Sequence, residues 1–222
     1  MLFRLNAKAT PESDIMKLYT YDPAPNPRRV ELFMSYKGIK MDTEQIDLGA
    51  KAHFEDSFLT LNPLATVPTL RLDDGNVLTE IISICDYLES QYPEKALMGS
   101  NALERAQILS WDHRLHGEFL LAIAEVLRNT AKTFVDHAVP GQASFAQIPE
   151  LAARGQGRVD VIFDELEAFL DDREYFVGNS LSLADIDAFC CYEFCGWIKK
   201  PIPETNTNTL AWLNRVKQAL GQ

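Results

Sequence analysis

Every strand-like stretch of this sequence lies in its first 97 residues, and the remainder repeats its apolar positions only at helical spacing. A chain patterned this way must build a mixed unit of strands and helices first and an all-helical unit after it. In the first part, Lys17 to Tyr21 alternates apolar and polar residues and predicts a strand; Asp22-Pro-Ala-Pro-Asn-Pro27 predicts a loop. Arg28 to Lys37 carries Val30, Leu32, Phe33 and Tyr36 at helical spacing and stops at Gly38, a residue suited to a left-handed helix end. Met41 to Asp47 predicts a second strand and His53 to Leu59 a short helix. Thr69–Leu72 and Val77–Leu78 flank Asp73-Asp-Gly-Asn76, a hairpin-turn composition. Glu80 to Tyr92 then runs helical, with Ile81, Ile84, Cys85 and Leu88 on one stripe, and ends before Pro93.

The resulting order, βαβαββα, joins a parallel βαβ start to an antiparallel hairpin and a helix, which is what a thioredoxin-like α/β domain requires. We place that domain at residues 16–97 and an all-α domain at 98–222. In the latter, Ala102 to about Lys132 and Ile148 to Asp171 predict two long helices, the second with Val159, Ile162, Phe163, Leu166, Phe169 and Leu170 on its apolar face. Ser182-Leu-Ala-Asp185 is a capping box. It opens a helix expected to run through Trp197, buried almost all round by Ile186, Phe189, Phe194 and Trp197. Thr209 to Leu220 predicts the last helix. The apolar content of residues 1–15 is broken by Arg4, Asn6 and Lys8, so a disordered leader is expected there rather than a secretory signal.

Charge and cysteine usage narrow the function. The chain carries 21 Lys and Arg against 32 Asp and Glu, a net charge of −11, and its densest basic spot is the pair Arg28-Arg29. Nucleic acid and anionic membrane surfaces are therefore not expected partners. No apolar run approaches the ~20 residues that span a bilayer. Cys190, Cys191 and Cys195 fall within six residues of one apolar segment and, with Cys85, give no disulfide framework. They predict buried thiols in a reducing cytoplasm. His113 and His116 share a helix face but lack a carboxylate-rich surround, so no metal is expected.

Two stretches bear chemistry. Thr66-Val67-Pro68-Thr69 precedes the third strand, where a cis proline would leave the backbone N–H and C=O of Val67 free to pair with an extended ligand. Glu80 sits where a strand gives way to a helix, so unpaired helix N–H groups for a carboxylate and an acid for an ammonium meet at one point.

The succession Ala24-Pro-Asn-Pro-Arg-Arg-Val30, Asn62-Pro-Leu-Ala-Thr-Val-Pro-Thr69, Leu78-Thr-Glu-Ile-Ile-Ser-Ile-Cys-Asp-Tyr-Leu88 and Val177-Gly-Asn-Ser-Leu-Ser-Leu-Ala-Asp-Ile186 resembles the cytosolic glutathione S-transferase family, bacterial type, from Met16 to the C-terminus. The resemblance implies a cytoplasmic homodimer that uses glutathione as co-substrate and a small hydrophobic electrophile as partner. It implies that Val67, beside Pro68, pairs with the cysteinyl backbone, that Glu80 and the following residue hold the γ-glutamyl end, and that His53 lies near the glycyl carboxylate. Where the family has a serine after the acid, this chain has Ile81, which retains only its N–H.

Family members activate the thiol with a Ser, Tyr or Cys just after the first strand; here the position is Ala24. Lowering a thiol pKa by about two units from ~8.5 requires ~2.7 kcal/mol. The remaining donors are the Asn26 amide, backbone N–H groups at the helix start and that helix's dipole. Set against a glutaredoxin-like Cys-Pro-x-Cys, the segment Ala24-Pro25-Asn26-Pro27 lacks both thiols, which disfavours protein-thiol redox chemistry. The electrophile pocket is expected between this loop and the first long helix, walled by Tyr21, Trp111 and Leu115. The implied reaction is thiolate addition to the electrophile. Its alternatives are reduction of a glutathione mixed disulfide or peroxide, and a non-catalytic binding protein.

Overall fold

The computed structural model describes residues 16–222; the leader expected at residues 1–15 lies outside the described residues. The mixed half runs β1 (Lys17–Thr20), α1 (Pro25–Lys37), β2 (Asp42–Gln45), a single 3-10 turn at Ala52–Phe54, α2 (Asp56–Leu61), β3 (Thr69–Arg71), β4 (Val77–Thr79) and α3 (Ile81–Gln91). The strands form one sheet in the order β2-β1-β3-β4, with β1 parallel to β2 and antiparallel to β3, and β3 antiparallel to β4. This is the expected thioredoxin-like arrangement. Leu18 opposes Leu70 in the register, and both are buried, because alternate residues of a strand share a face. α1 and α3 cover that face with Val30, Phe33, Ile84 and Leu88.

α1 begins at Pro25, three residues before the expected start at Arg28. Proline's fixed φ suits a first helical turn, so the Pro25-Asn26-Pro27 run is helical rather than loop. Its other end stops at Gly38, with φ +73, whose N–H and that of Ile39 bond back to Ser35 and Met34.

The helical half consists of α4 (Ala102–Arg114), α5 (Leu121–Thr130), α6 (Pro149–Phe169), α7 (Leu183–Cys195) and α8 (Thr207–Leu220). One π-type turn, Leu115–Leu120, joins α4 to α5 in a continuous rod. That wider turn loosens carbonyls, and Arg158 of α6 answers them by donating to Gly117 O at 2.5 Å and Glu118 O at 3.4 Å. α5 and α6 approach closely at Gly155, where a Cβ would lie 2.7 Å from Ala122 O.

α7 is the centre of this half, buried on nearly every residue. Its capping box is present, with the Asp185 carboxylate accepting the Ser182 N–H at 3.0 Å. The helix ends at Cys195, not at Trp197 as expected. Gly196–Ile198 tightens into a 3-10 turn, and Trp197 is 50% exposed, resting one ring edge on Phe194.

α1 and α7 join the two halves. Arg29, half of the densest basic pair in the sequence, is 3% exposed. Its Nε donates to Asp187 Oδ1 at 2.6 Å and its Nη2 to Asp112 Oδ1 at 2.7 Å. One guanidinium thus faces two carboxylates. Burial pushes the Asp187 carboxyl up to about 7; Arg29 opposes that rise and Asp112 adds to it. An unfolded aspartate titrates near 3.9. From about pH 4 to 7 the native protein therefore holds a proton that the unfolded chain has released, so this group's contribution favours folding at the acid end and is lost as pH rises through 7. Asp187→Asn is expected to flatten the stability-against-pH curve across that window, measured by urea unfolding. Identical slopes in the two proteins would contradict this account.

Candidate functional site

Four segments at one end of the mixed half carry the groups that the sequence singles out. The first is the start of α1. Its N-cap, Ala24, has no side-chain cap, and its own N–H bonds to Tyr21 O at 2.9 Å. Pro25 and Pro27 have no N–H, and Arg28 N–H is taken by Ala24 O at 3.1 Å. The Asn26 N–H is thus left as the open donor of the turn, with the positive end of the helix dipole behind it. The Asn26 Oδ1 is buried and has no partner among the described residues. Rotating the amide by half a turn presents its NH2 at the same place, so the position serves a donor or an acceptor on a ligand.

The second segment is the turn at Ala52–Phe54. His53 packs on the Phe54 ring with 3.9 Å between ring centroids, and its Nδ1 is buried with no partner among the described residues. Burial lowers its pKa first, and the charges of Arg128, His137 and Lys51 lower it further. The imidazole is accordingly neutral at pH 7.

The loop into β3 forms the third. Val67–Pro68 is a cis peptide bond. Neither the N–H nor the C=O of Val67 has a hydrogen-bond partner among the described residues. The loop is held from beneath by Asn62, 2% exposed, whose Nδ2 donates to Thr66 O and Thr69 Oγ1 at 2.9 Å each and whose Oδ1 accepts from Leu64 N–H at 3.0 Å. Sequence reasoning missed Asn62. Its signal was available: an asparagine ahead of a proline shapes turns through its own side chain.

The fourth is the start of α3. Glu80 has φ +65 and ψ +131, a backbone conformation that a side-chain-bearing residue adopts only at a cost of about 1–3 kcal/mol. Its side chain is exposed and makes no cap. Ser83 steadies the junction, its Oγ donating to Glu80 O at 3.0 Å and also to Thr79 O. Ile81 is 6% exposed with its side chain in the core, so it offers the site only its N–H.

A cavity of about 240 Å³ lies between the β1–α1 loop and the far end of α7. Asp22, Pro23, Pro25 and Arg28 form one wall; Cys190, Glu193, Phe194 and Trp197 form the other. Arg28 bridges the walls, bonded to Glu31 at 3.1 Å and Glu193 at 3.5 Å. The expected walls lie elsewhere. Trp111 is clasped by Phe169 and Phe176, at 4.6 and 4.9 Å between ring centroids. Leu115 is 1% exposed inside the core. Both therefore pack the helical half, while Tyr21, half-buried, adjoins the cavity loop. The Cys190 and Cys191 thiols are held above their usual range by burial and are not poised to react.

The fold is a thioredoxin-like domain followed by an all-helical one, with the open backbone of Val67 and the start of α3 at one edge of the sheet. Residues 24–91 match the model of the glutathione S-transferase N-terminal domain, and residues 117–218 that of its C-terminal domain, together about three quarters of the chain. The chain belongs to the glutathione S-transferase family. Glutathione S-transferase 2 of Saccharomyces cerevisiae is 27% identical over 208 residues, covering 91% of this chain and 86% of the relative. Maleylacetoacetate isomerase of Pseudomonas aeruginosa is 36% identical over 94 residues, 41% of this chain and 44% of the relative. Among solved structures, a glutathione S-transferase domain-containing protein from Marinobacter aquaeolei VT8 superposes with a TM-score of 0.82 at 27% identity, covering 90% of this chain and 97% of that one.

Proposed function

We propose that this protein is a glutathione transferase that adds the glutathione thiolate to a small hydrophobic electrophile held in the cavity between the β1–α1 loop and the end of α7. The observation that carries this reading is a set of unsatisfied groups gathered from separate segments: Asn26 Oδ1, His53 Nδ1 and both backbone groups of Val67. Buried polar atoms are normally paired, so groups left open at one end of one domain mark the outline of a polar ligand. Glutathione fits that outline. Val67 would pair with its cysteinyl backbone, Glu80 with the γ-glutamyl ammonium and the α3 N–H groups, Ile81 N–H included, with the γ-glutamyl carboxylate. Pro68 holds Val67 in place, and His53 lies toward the glycyl end.

In the proposed mechanism the protein supplies no covalent nucleophile. The thiol sulfur lies at the start of α1, where the Asn26 N–H and amide and the helix dipole favour the thiolate over the thiol. The thiolate then attacks the electrophile across the cavity and forms a carbon–sulfur bond: in a substitution the leaving group departs with the electron pair of the broken bond, and in an addition the π electron pair moves onto the electrophile, which takes a proton from solvent. Phe194, Trp197 and the two prolines offer apolar surface for that partner, and Arg28 offers positive charge for the departing one. The reading includes a cytoplasmic homodimer, as the family resemblance implies. Turnover of a panel of aromatic and alkyl electrophiles tests it. Rates well above the uncatalysed thiol reaction are expected, falling about tenfold in kcat in Asn26→Ala, as for loss of one weak donor to a developing charge. Unchanged kinetics in that variant would remove Asn26 from the mechanism.

A second reading is a protein that holds glutathione without turnover. Two observations favour it: Ala24 supplies no hydroxyl to the thiol, and Ile81 turns its side chain into the core. Binding of glutathione with no turnover on any electrophile, disulfide or peroxide would select this reading over the first.

A further inference from the structure

The start of α1 is anchored by little of its own: Ala24 offers no side-chain cap, and Pro25 and Pro27 have no N–H. A firmer hold lies one turn on. Asn26 and Arg29 are three residues apart and share a face of the helix. Arg29 ties that face to the helical half, donating to Asp187 of α7 at 2.6 Å and to Asp112 of α4 at 2.7 Å. Two carboxylates thus meet one guanidinium where the two halves join. The Asp187 side chain is 1% exposed and that of Asp112 14%, so solvent does little to screen the excess negative charge. Asp187 Oδ2 is buried and has no hydrogen-bond partner among the described residues. A buried carboxylate oxygen that accepts nothing is costly as an anion and is relieved by a proton.

The groups around the pair do not balance that charge. Cys85 of α3 and Cys190 and Cys191 of α7 lie within its field, and burial holds all three thiols above their usual range and neutral. The acids beside those thiols, Glu89 and Glu193, have cations of their own in Lys37 and Arg28. His116, four residues beyond Asp112, is neutral at pH 7: burial first and then Arg29 lower its pKa, against Asp112 and Glu80. At Asp187 itself burial pushes the carboxyl up and Arg29 opposes the rise. Asp112 adds to it through its charge and a hydrogen bond between the two carboxyls, for a value of about 7. One proton held between the carboxyls leaves one negative charge against one positive.

We propose that Asp112 and Asp187 share one proton where the two halves meet, and that this pair, acting through Arg29, positions the first turn of α1, so that loss of the proton slows transfer from the glutathione thiol. This rests on the reading of the α1 start as the surround of that thiol. With the proton in place the cluster is neutral. Once it leaves, an unbalanced negative charge is buried behind the turn where the thiolate forms, and two carboxylates repel each other across the contact that joins the halves. Both effects oppose a thiolate beside Asn26. Asp112 and Asp187 are positioning residues, because they act on the thiol through α1 rather than by contact.

Turnover of glutathione with one electrophile, followed from about pH 6 to 8.5 in wild type and Asp187→Asn, tests the proposal. Asparagine keeps the shape and neutrality of the protonated acid and has no proton to release. Dividing the kcat of the variant by that of wild type at each pH cancels the titration of the thiol, which both proteins share. The ratio is expected to be near 1 at about pH 6 and to rise about fivefold by pH 8.5, with KM for glutathione unchanged. Asp112→Asn is expected to give the same rise, since it too leaves one carboxylate to one guanidinium, and it carries the test if the first variant fails to fold. A level ratio, or a uniform loss of kcat at every pH, would overturn the positioning role while turnover in wild type stands. Absence of turnover in wild type would instead overturn the transferase reading, and the positioning role with it.

Discussion

Asp185→Ala is expected to lower the melting temperature by about 8–16 °C, because one buried carboxylate ties three separate parts of the helical half together. The carboxylate is fully buried and accepts from four donors: Phe176 N–H at 2.9 Å, Ser182 N–H at 3.0 Å, Ser182 Oγ at 2.8 Å and Trp212 Nε1 at 2.9 Å. Those donors come from the turn before α7, the α7 cap and the middle of α8. Burial pushes the carboxyl upward and the bonds pull it back, so its charge is held by them rather than by water. Removing the acceptor strands four buried donors, each of which costs about 1–3 kcal/mol unless water reaches it. The losses share one cavity and do not add fully, so about 4 kcal/mol is expected. At about 2–4 °C per kcal/mol for a chain of this length, that gives the stated range. Scanning calorimetry measures it. Asp185→Asn keeps one acceptor oxygen but turns an NH2 toward two of the donors, and at least half of the loss is expected to remain. A drop of under about 3 °C in the alanine variant would show that the four bonds do not hold α7 and α8 together.

That prediction draws on a motif readable from the sequence, and the contrast with the cavity beside α7 shows where such reading stops. The capping box at Ser182–Asp185 is local, its partners three residues apart, so its physics is complete within one turn. The same holds for the hairpin at Asp73–Asn76 and for the Gly38 helix stop. Trp212 and Phe176, the other partners of Asp185, are distant in the chain, and no local spacing points to them. The positions of the groups proposed to face glutathione follow from the sequence because each lies near a strand end or helix start, and the element order alone brings those ends together at one edge of a sheet.

The far cavity wall was not legible. Cys190, Glu193, Phe194 and Trp197 face Pro23 and Arg28 only because α1 packs on α7, and that packing is set by apolar faces of similar composition all round α7. Trp111 and Leu115 illustrate the same limit from the other side. Four residues apart, they share a helix face, but nothing in the spacing says whether that face meets a ligand or another helix. Trp111 meets Phe169 and Phe176. Arg29 escapes sequence reading for a related reason: a charged residue reads as surface until its two carboxylates, Asp112 and Asp187, are brought to it by the fold.

Glu80 offers the sharpest separation of binding from folding. Glu80→Gly is expected to raise the melting temperature by about 2–4 °C while weakening glutathione binding about 100-fold. Its φ of +65 with ψ of +131 lies in a region that glycine enters freely and other residues enter under strain. Glycine relieves that strain but loosens the unfolded chain, so a net gain of about 1 kcal/mol is expected. The carboxylate makes no contact that the fold needs: it is exposed and caps nothing. Its proposed partner is the γ-glutamyl ammonium, and a charge-assisted bond of about 2–3 kcal/mol corresponds to the stated loss of affinity. Glu80→Ala keeps the strained backbone and removes the carboxylate, so it is expected to bind as poorly as the glycine variant without becoming more stable. Glu80→Gln keeps the length and loses the charge, which isolates the ammonium contact. Calorimetry and thermal unfolding on the three variants together decide the matter. A glycine variant less stable than wild type would show that the strain is not where the backbone places it. Undiminished glutathione binding in all three would show that the strained acid serves some other ligand. A residue that costs folding energy and returns none to the fold is retained for what it binds, and these two measurements read the two sides of that exchange independently.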